Sequence, residues 1–420
     1  MRSHFRVSAF IRRLVTATAL LLILEAMALE ATALGDTGVP QPAYGYRSHD
    51  RLDLADLGYV GGLLIDDEGR LWIAVESELR RYDPDGTSES IAPFEPTVFG
   101  SFLVAAPAGD AILFGESSEG GIYRVPSSGG APQLVDRVSF NYDLAFDPAG
   151  RGFVSAYIGG QAQKIVLLDE DPANDPFVVV DAIAGFSGPV ACDSAGDLFY
   201  ATATAVPEPQ SVVRFRSAQL DAALDGSPLA LADGEVVFSG DVTASNMRFL
   251  DGRLYVSDLG FNSPLGAGAV YALDPAAAFA ATVFVAFPHP ERIVSPTHIA
   301  TLPGTSAFEP GAGPAGGRLA VVYSDFGEIH AVAELTAREL YVRGEVNADE
   351  ELDLSDAVSV LDWLFLGGRE PHTPEAADAN SDGDHDVSDA SYLLNFLFLG
   401  GPPPGAPFPD PGLEPPPPPA

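Results

Sequence analysis

Cysteine and lysine are almost missing from this chain. Cys192 is the only cysteine in 420 residues, so no intrachain disulfide can form. Stability must come from buried apolar surface and bound ligands. Cys192 sits in the run Gly-Pro-Val-Ala-Cys-Asp and reads as a small buried hydrophobe, not a nucleophile. Lys164 is the only lysine; the other side-chain cations are arginines. Lys and Arg together number 22 against 59 Asp and Glu, a formal net charge of −37. That balance argues against nucleic acid and anionic membrane surfaces as partners, and it favours hard cations. No apolar run after the N-terminal segment is long enough to span a bilayer. No nucleophile elbow, phosphate loop or HExxH motif occurs. A paired-carboxylate centre would have to be assembled in space from the 59 acidic residues.

The chain is 46% hydrophobic and 19% charged, a globular composition long enough for two or three domains. Residues 1–33 read as a secretory signal peptide. Arg2, Arg6, Arg12 and Arg13 precede an apolar stretch from Leu14 to Leu24, and small residues at 26–28 and 31–33 offer cleavage points. A secreted protein, extracellular or periplasmic, is expected.

From about residue 36 to 338, short β-type runs alternate with Gly, Pro and Asp turns, with no sustained helical periodicity. A unit recurs six times, clearest at 58–83, 100–125, 141–168, 188–215, 245–273 and, with an insertion, 296–333. The turn glycines Gly69, Gly109, Gly150, Gly196, Gly252 and Gly317 mark the copies, closely spaced at first and more widely later. The spacing of the first copies is that of a four-stranded blade, so the fold is read as mainly β, a six-bladed β-propeller, ahead of a β-sandwich or a β-helix. Residues 44–54 would supply the strand that closes the ring. The fourth copy, GPVACDSAGDLFYAT, resembles the NHL repeat and the six-bladed gluconolactonase-like and senescence-marker-like family.

That resemblance implies a divalent metal held at the channel mouth by Glu, Asn and Asp from the inner-strand starts. Asn141 and Asn246 occupy comparable positions, but Gly61–Gly62 and Thr297–His298 stand where carboxylates are wanted. Asn141 and Asn246 also read as turn caps, and His298 as a channel-lining polar residue. The propeller is therefore expected to bind a ligand, a carbohydrate among the candidates. The alternative is a metal-dependent lactonase or hydrolase at the channel mouth.

Residues 339–401 carry a duplication. The stretches 345–356 and 378–389 match position for position, and each is followed by a matching apolar segment, AVSVLDWLFLGG and ASYLLNFLFLGG. Such loops suit Ca²⁺, which takes six to eight oxygens. In the second, the ligands expected are Asp378, Asn380, Asp382, the Asp384 carbonyl, Asp386 and Asp389, with Gly383 at the sharp turn. In the first they are Glu345, Asn347, Asp349, the Glu351 carbonyl, Asp353 and Asp356. Glu350 replaces the turn glycine there, at a cost on the order of 1 kcal/mol, so the second of two calcium sites should be the tighter.

The first loop has no entering helix, and the pair resembles a type I dockerin. The resemblance implies a cohesin-like or cell-surface partner, an extracellular assembly and a link to polysaccharide breakdown. Its recognition positions match only at Ser355 and Ser388, which could also be helix N-caps. Leu361, Leu364, Phe365, Leu394, Leu397 and Phe398 are expected to form the small core, and 402–420 a Pro-rich extended tail.

Overall fold

The computed structural model describes residues 40–415 except 44–45, 55–56, 59, 76–77, 94–99, 118, 159–161, 206–207, 305, 314, 327–328, 350, 372 and 414. Residues 1–33, read above as a signal peptide, and Glu350 lie outside the described residues. Among the described residues six sheets are formed, each built on four antiparallel strands ordered from inner to outer, with Leu229–Ala230 added in parallel to the edge of one. Their inner strands are Val60–Ile65, Gly100–Ala105, Asn141–Phe146, Val190–Cys192, Ala244–Leu250 and Ser295–Leu302, defining blades 1 to 6. Each inner strand packs beside the next, and that of blade 6 returns to that of blade 1. The chain therefore closes a six-bladed propeller. The closing strand is Tyr46–Asp53, which pairs antiparallel with His330–Ala337 as the outer strand of blade 6.

The turn between the first two strands of a blade shows why the sequence takes this shape. In blade 1, Asp66 Oδ1 accepts the backbone N–H of Glu68 and Arg70, while Gly69 takes φ 74 to complete the turn. The same carboxylate-capped turn recurs at Asp147 and Asp193. Blade 6 departs from the pattern: Gly317 is not in the left-handed region, and a long segment over 303–317 replaces the tight turn. Large apolar side chains fill the gaps between blades, with one cluster at each of the six blade–blade contacts.

Blade 4 contains a helix that periodicity did not reveal, α1 (Ser217–Asp225). It is short and starts locally: the Gln219 side chain accepts the Arg216 N–H at 2.8 Å, and Leu220 and Ala223 are its buried residues.

After the propeller come two more helices, α2 (Leu354–Leu361) and α3 (Val387–Leu399), which pack together. Their core differs from expectation. It consists of Val346, Ala357, Val360, Ala377, Ala379, Ala390 and Leu393, with Leu361, Leu364 and Leu394 at its margin. Phe365 and Phe398 are 65% and 63% exposed. Small alanines face inward and let the loop–helix units approach closely, which turns the phenylalanines out.

The Pro-rich segment is not a free tail over its described part. Tyr341 and Gly412 exchange both backbone hydrogen bonds at 3.0 Å, Phe396 meets Phe408 edge-on, and Tyr392 Oη donates to the Pro403 carbonyl. Proline cannot donate to a ladder, so Gly412 supplies the N–H.

Asp66 offers a test of the turn. Burial opposes its ionisation, but hydrogen bonds from the Trp72 indole and from Arg70 outweigh this and hold its pKa below the usual 3.8. A depressed carboxylate stabilises the fold above its unfolded pKa and loses that contribution as pH falls through the folded value. Asp66→Asn should therefore be less stable than wild type at pH 7 in urea denaturation, and the gap should narrow below pH 3.8. An equal gap at both pH values would contradict this role.

Candidate functional site

The inner strands share one irregularity. In blades 1, 2, 3, 5 and 6 the register shifts once, just after the first paired residue (the second in blade 6), leaving Gly61, Ser101, Tyr142, Ser245 and Thr297 as the extra residues. A β-bulge re-aims the side chain it carries. Four of these five residues, all but Gly61, line a cavity of 510 Å³ at the channel mouth. Asn141, Ser117, His298, Ser324, Phe326 and His330 complete most of its wall. No carboxylate occurs among the described lining residues, although the chain carries 59 acidic side chains.

The channel is crossed beneath the mouth. Arg248 of blade 5 makes a bidentate pair with Asp143 of blade 3, at 3.0 and 3.1 Å, and Val190 of blade 4 donates its N–H to the same carboxylate. Tyr142 Oη donates to the Ser245 carbonyl at 2.9 Å. Of these residues Tyr142 and Ser245 line the cavity, and the Arg248–Asp143 pair does not.

Asn141 and Asn246 behave as structural ties. Asn141 is buried; its Nδ2 donates to the Glu116 and Val138 carbonyls, and its Oδ1 accepts from Ser101. Asn246 Oδ1 accepts the Ile299 N–H of the next blade. His298 faces the cavity, with Nδ1 3.2 Å from Thr297 Oγ1. Burial, reinforced by the Arg248 charge and by His330, lowers its pKa to about 4. His330 is also lowered, by burial, against the pull of Asp53. Both imidazoles are neutral at neutral pH. The sequence singled out Asn141, Thr297 and His298 but missed Ser101, Tyr142 and Ser245. The signal that could have found them is a polar or glycine residue at one fixed position near each inner-strand start.

The duplicated loops fold alike. In each, the position-1 carboxylate (Glu345, Asp378) and the position-3 amide oxygen (Asn347, Asn380) accept the N–H of Asp349 or Asp382. Asp349 and Asp382 in turn accept the N–H of Glu351 and Asp384 at 2.9 Å. Asp353 and Asp386 are the helix N-caps, each accepting from the serine two residues on. Ser355 and Ser388 are thus not the caps; their hydroxyls accept from Asn347 and Asn380. Asp356 and Asp389 are fully buried and accept the N–H groups of Asn347 and Asp353, and of Asn380 and Asp386.

The donor set fits a hard cation, being all oxygen and rich in carboxylates. Burial, aided by the charges of Asp378 and Asp382, pushes the Asp389 carboxyl up from its ordinary value; burial does the same to Asp356, with help from Asp349. Gly383 takes φ 88 at the sharp turn. Among the described residues, no three His, Cys, Asp or Glu side chains converge as a metal-holding group. The loop oxygens are instead turned onto the loops' own N–H groups.

No family model matches the chain, and no curated protein matches it in sequence. Solved structures of similar fold include an aldose sugar dehydrogenase from Streptomyces coelicolor in its PQQ-bound form, at 17% identity, TM-score 0.48, over 70% of this chain and 99% of that one. A gluconolactonase from Xanthomonas campestris is 13% identical, TM-score 0.49, over 72% and 95%. The calcium-binding protein regucalcin from Agrobacterium tumefaciens is 14% identical, TM-score 0.47, over 70% and 97%. Likeness of this degree concerns the fold and nothing finer.

The state of His298 can be checked directly. Its ring resonances should titrate with a midpoint near 4 in NMR, not at the ordinary 6.5. A midpoint near 6.5 would mean that the imidazole is solvated and not held in the wall.

Proposed function

We propose that the channel mouth is a site for a neutral, hydroxyl-rich small molecule of the sugar or sugar-lactone class. The observation that carries this is the set of bulges that turn hydroxyl side chains from several blades into one cavity without a described carboxylate. The Ser101, Tyr142, Ser245 and Thr297 hydroxyls give their protons to Asn141 Oδ1 and to the Ser245, Pro296 and Val322 carbonyls, so their oxygens are left to accept from sugar hydroxyls, while a neutral imidazole carries both a donor and an acceptor. An ionic ligand would find no opposite charge in that wall. The cavity is of a size usual for small-molecule sites, roughly 300–1,000 Å³.

Hydrolysis of a lactone at the same mouth is the second reading, favoured by His298 and His330. A neutral imidazole can take a proton from a water attacking the ring carbonyl. This chemistry would run on imidazole, since Asn141 and Asn246 are engaged as blade ties. Calorimetric titration with D-glucono-δ-lactone tests the first reading and acid release in a pH-stat the second. Saturable binding that His298→Ala weakens tenfold or more is expected. Acid release above the spontaneous rate, lost in the same variant, would establish turnover; no binding of the lactone or of glucose would overturn the site.

The C-terminal module is proposed as a calcium-dependent docking element of an exported protein. Its support is the matched hydrogen bonding of the two loops and a matched outer face. Leu354 and Val387, Phe365 and Phe398, and Leu366 and Leu399 are equivalent pairs in the two copies, with nearly equal exposure in each pair. A protein partner of the cohesin kind would cover that face. Two Ca²⁺ should bind to the full chain, the tighter at Asp378–Asp389, because the turn shape that Gly383 takes freely would cost Glu350 about 1 kcal/mol, roughly fivefold in affinity. Calorimetry with Asp389→Ala should remove the tighter site. Two equal sites, or a tighter first one, would count against the assignment.

A further inference from the structure

The exposed aromatic rings of the propeller are not spread evenly. In an antiparallel meander, alternate connections emerge on opposite faces. Connections from an outer strand to the next inner strand, and from second to third strands, share the face that bears the cavity. Phe140 and Phe186 lie in the first kind, before blades 3 and 4. Phe261 and Phe326 lie in the second kind, in blades 5 and 6. They are 57%, 64%, 49% and 66% exposed. Phe177, on an outer strand, is the only other exposed aromatic among the described propeller residues. Turns on the opposite face are built from Asp and Gly, such as Asp66–Gly69 and Asp147–Gly150.

Two of these rings are held out at a conformational cost. Phe140 and Phe326 have φ of 50° and 60°, in the left-handed region that side chains other than Gly, Asn and Asp seldom adopt. Hydrogen bonds fix both: the Phe140 carbonyl accepts the Tyr157 N–H, and the Phe326 N–H donates to Ser324 Oγ. Both rings stay exposed in spite of that cost, which points to a use in binding. The rings are also paired. Phe326 stacks on Phe261 with centroids 6.4 Å apart at 24°, and Phe140 meets Tyr157 at 6.2 Å. In a ring of six, blade 3 stands opposite blade 6, so the two pairs flank the cavity from opposite sides.

We infer that the cavity face binds a neutral oligosaccharide several rings long, lying across the channel mouth and stacking on Phe140 at one side and Phe261–Phe326 at the other. This rests on the sugar-class reading of the cavity and extends it from a single ring to a chain. Flat aromatic faces suit the apolar faces of sugar rings, while the hydroxyl-lined cavity between them takes the equatorial hydroxyls. With a net charge of −37, the protein repels polyanionic glycans, which leaves neutral ones.

The test uses the full chain and three neutral series, cello-, malto- and xylo-oligosaccharides of one to six rings, by calorimetry. In one series the affinity should rise at least tenfold between one ring and six. Phe140→Ala and Phe261→Ala should each lose most of that gain while leaving single-ring affinity within twofold, and Phe261→Trp should keep it. If single rings bind and length adds nothing, the extended surface is wrong and the cavity reading survives. If hexaoses bind through the phenylalanines but His298→Ala changes nothing, the surface stands and the cavity reading fails. If no sugar of any length binds, both fail. Self-association in sedimentation that Phe261→Ala abolishes would overturn the inference in favour of a contact between copies of this chain.

Discussion

Everything in the propeller depends on one strand pairing, that of Tyr46–Asp53 with His330–Ala337. The inner strands can only form a ring if the last blade is completed by a segment from the opposite end of the propeller sequence. Tyr46 fixes this closure from the side-chain level. Its hydroxyl donates to the Phe308 carbonyl, and its ring packs edge-on against Phe284, between blades 5 and 6. The short strand Gln41–Pro42 adds to the edge of blade 5, so the N-terminal segment bridges the last two blades. With the ring closed, the inner strand starts converge on one mouth, and the edges left for aggregation are few. Without closure, the bulged residues of five blades would have no common target.

The repeat and its Asp- and Gly-rich turns were legible because each rests on local chemistry, and the closing strand was legible from the need to complete the last blade. Asp66, Asp147 and Asp193 cap turns through bonds to backbone groups within the same turn. The site was less legible because its position depends on a register shift. Ser101, Tyr142, Ser245 and Thr297 share a hydroxyl, but only the ladder shows that each is the extra residue of a bulge and so turned to the same mouth. Knowing that Asn141 and Asn246 start inner strands gave their position but not their engagement. Only the neighbouring blades show that their amide groups are occupied by backbone partners and, for Asn141, by Ser101.

The C-terminal module shows the limits of pattern in a second way. Apolar residues at helical spacing suggested a core of Phe365 and Phe398, yet alanines and Leu393 hold that place. The duplication itself explains why. Two loop–helix units related by a repeat must meet across small side chains if both loops are to lie side by side. The large side chains are then left on the outer faces, in matched positions.

Arg343 ties this arrangement together. It is 1% exposed, donates to the Ala406 carbonyl at 3.0 Å, to the Tyr341 hydroxyl at 3.1 Å and to the Asp378 carbonyl, and lies 3.5 Å from the Asp378 carboxylate. A buried guanidinium is tolerated only where its donors are all engaged. Here the acceptors come from the entry to the module, the start of its second loop and the Pro-rich segment. The segment after 401 is therefore part of the module's structure, because its Ala406 and Pro407 carbonyls accept from the Arg343 side chain and backbone N–H. The same cation offsets some of the negative charge gathered in the second loop. A charge of +1 against Asp378, Asp382, Asp384, Asp386 and Asp389 is far from neutralising them. That residual imbalance, more than any match of pattern, is the physical reason to expect a divalent cation there.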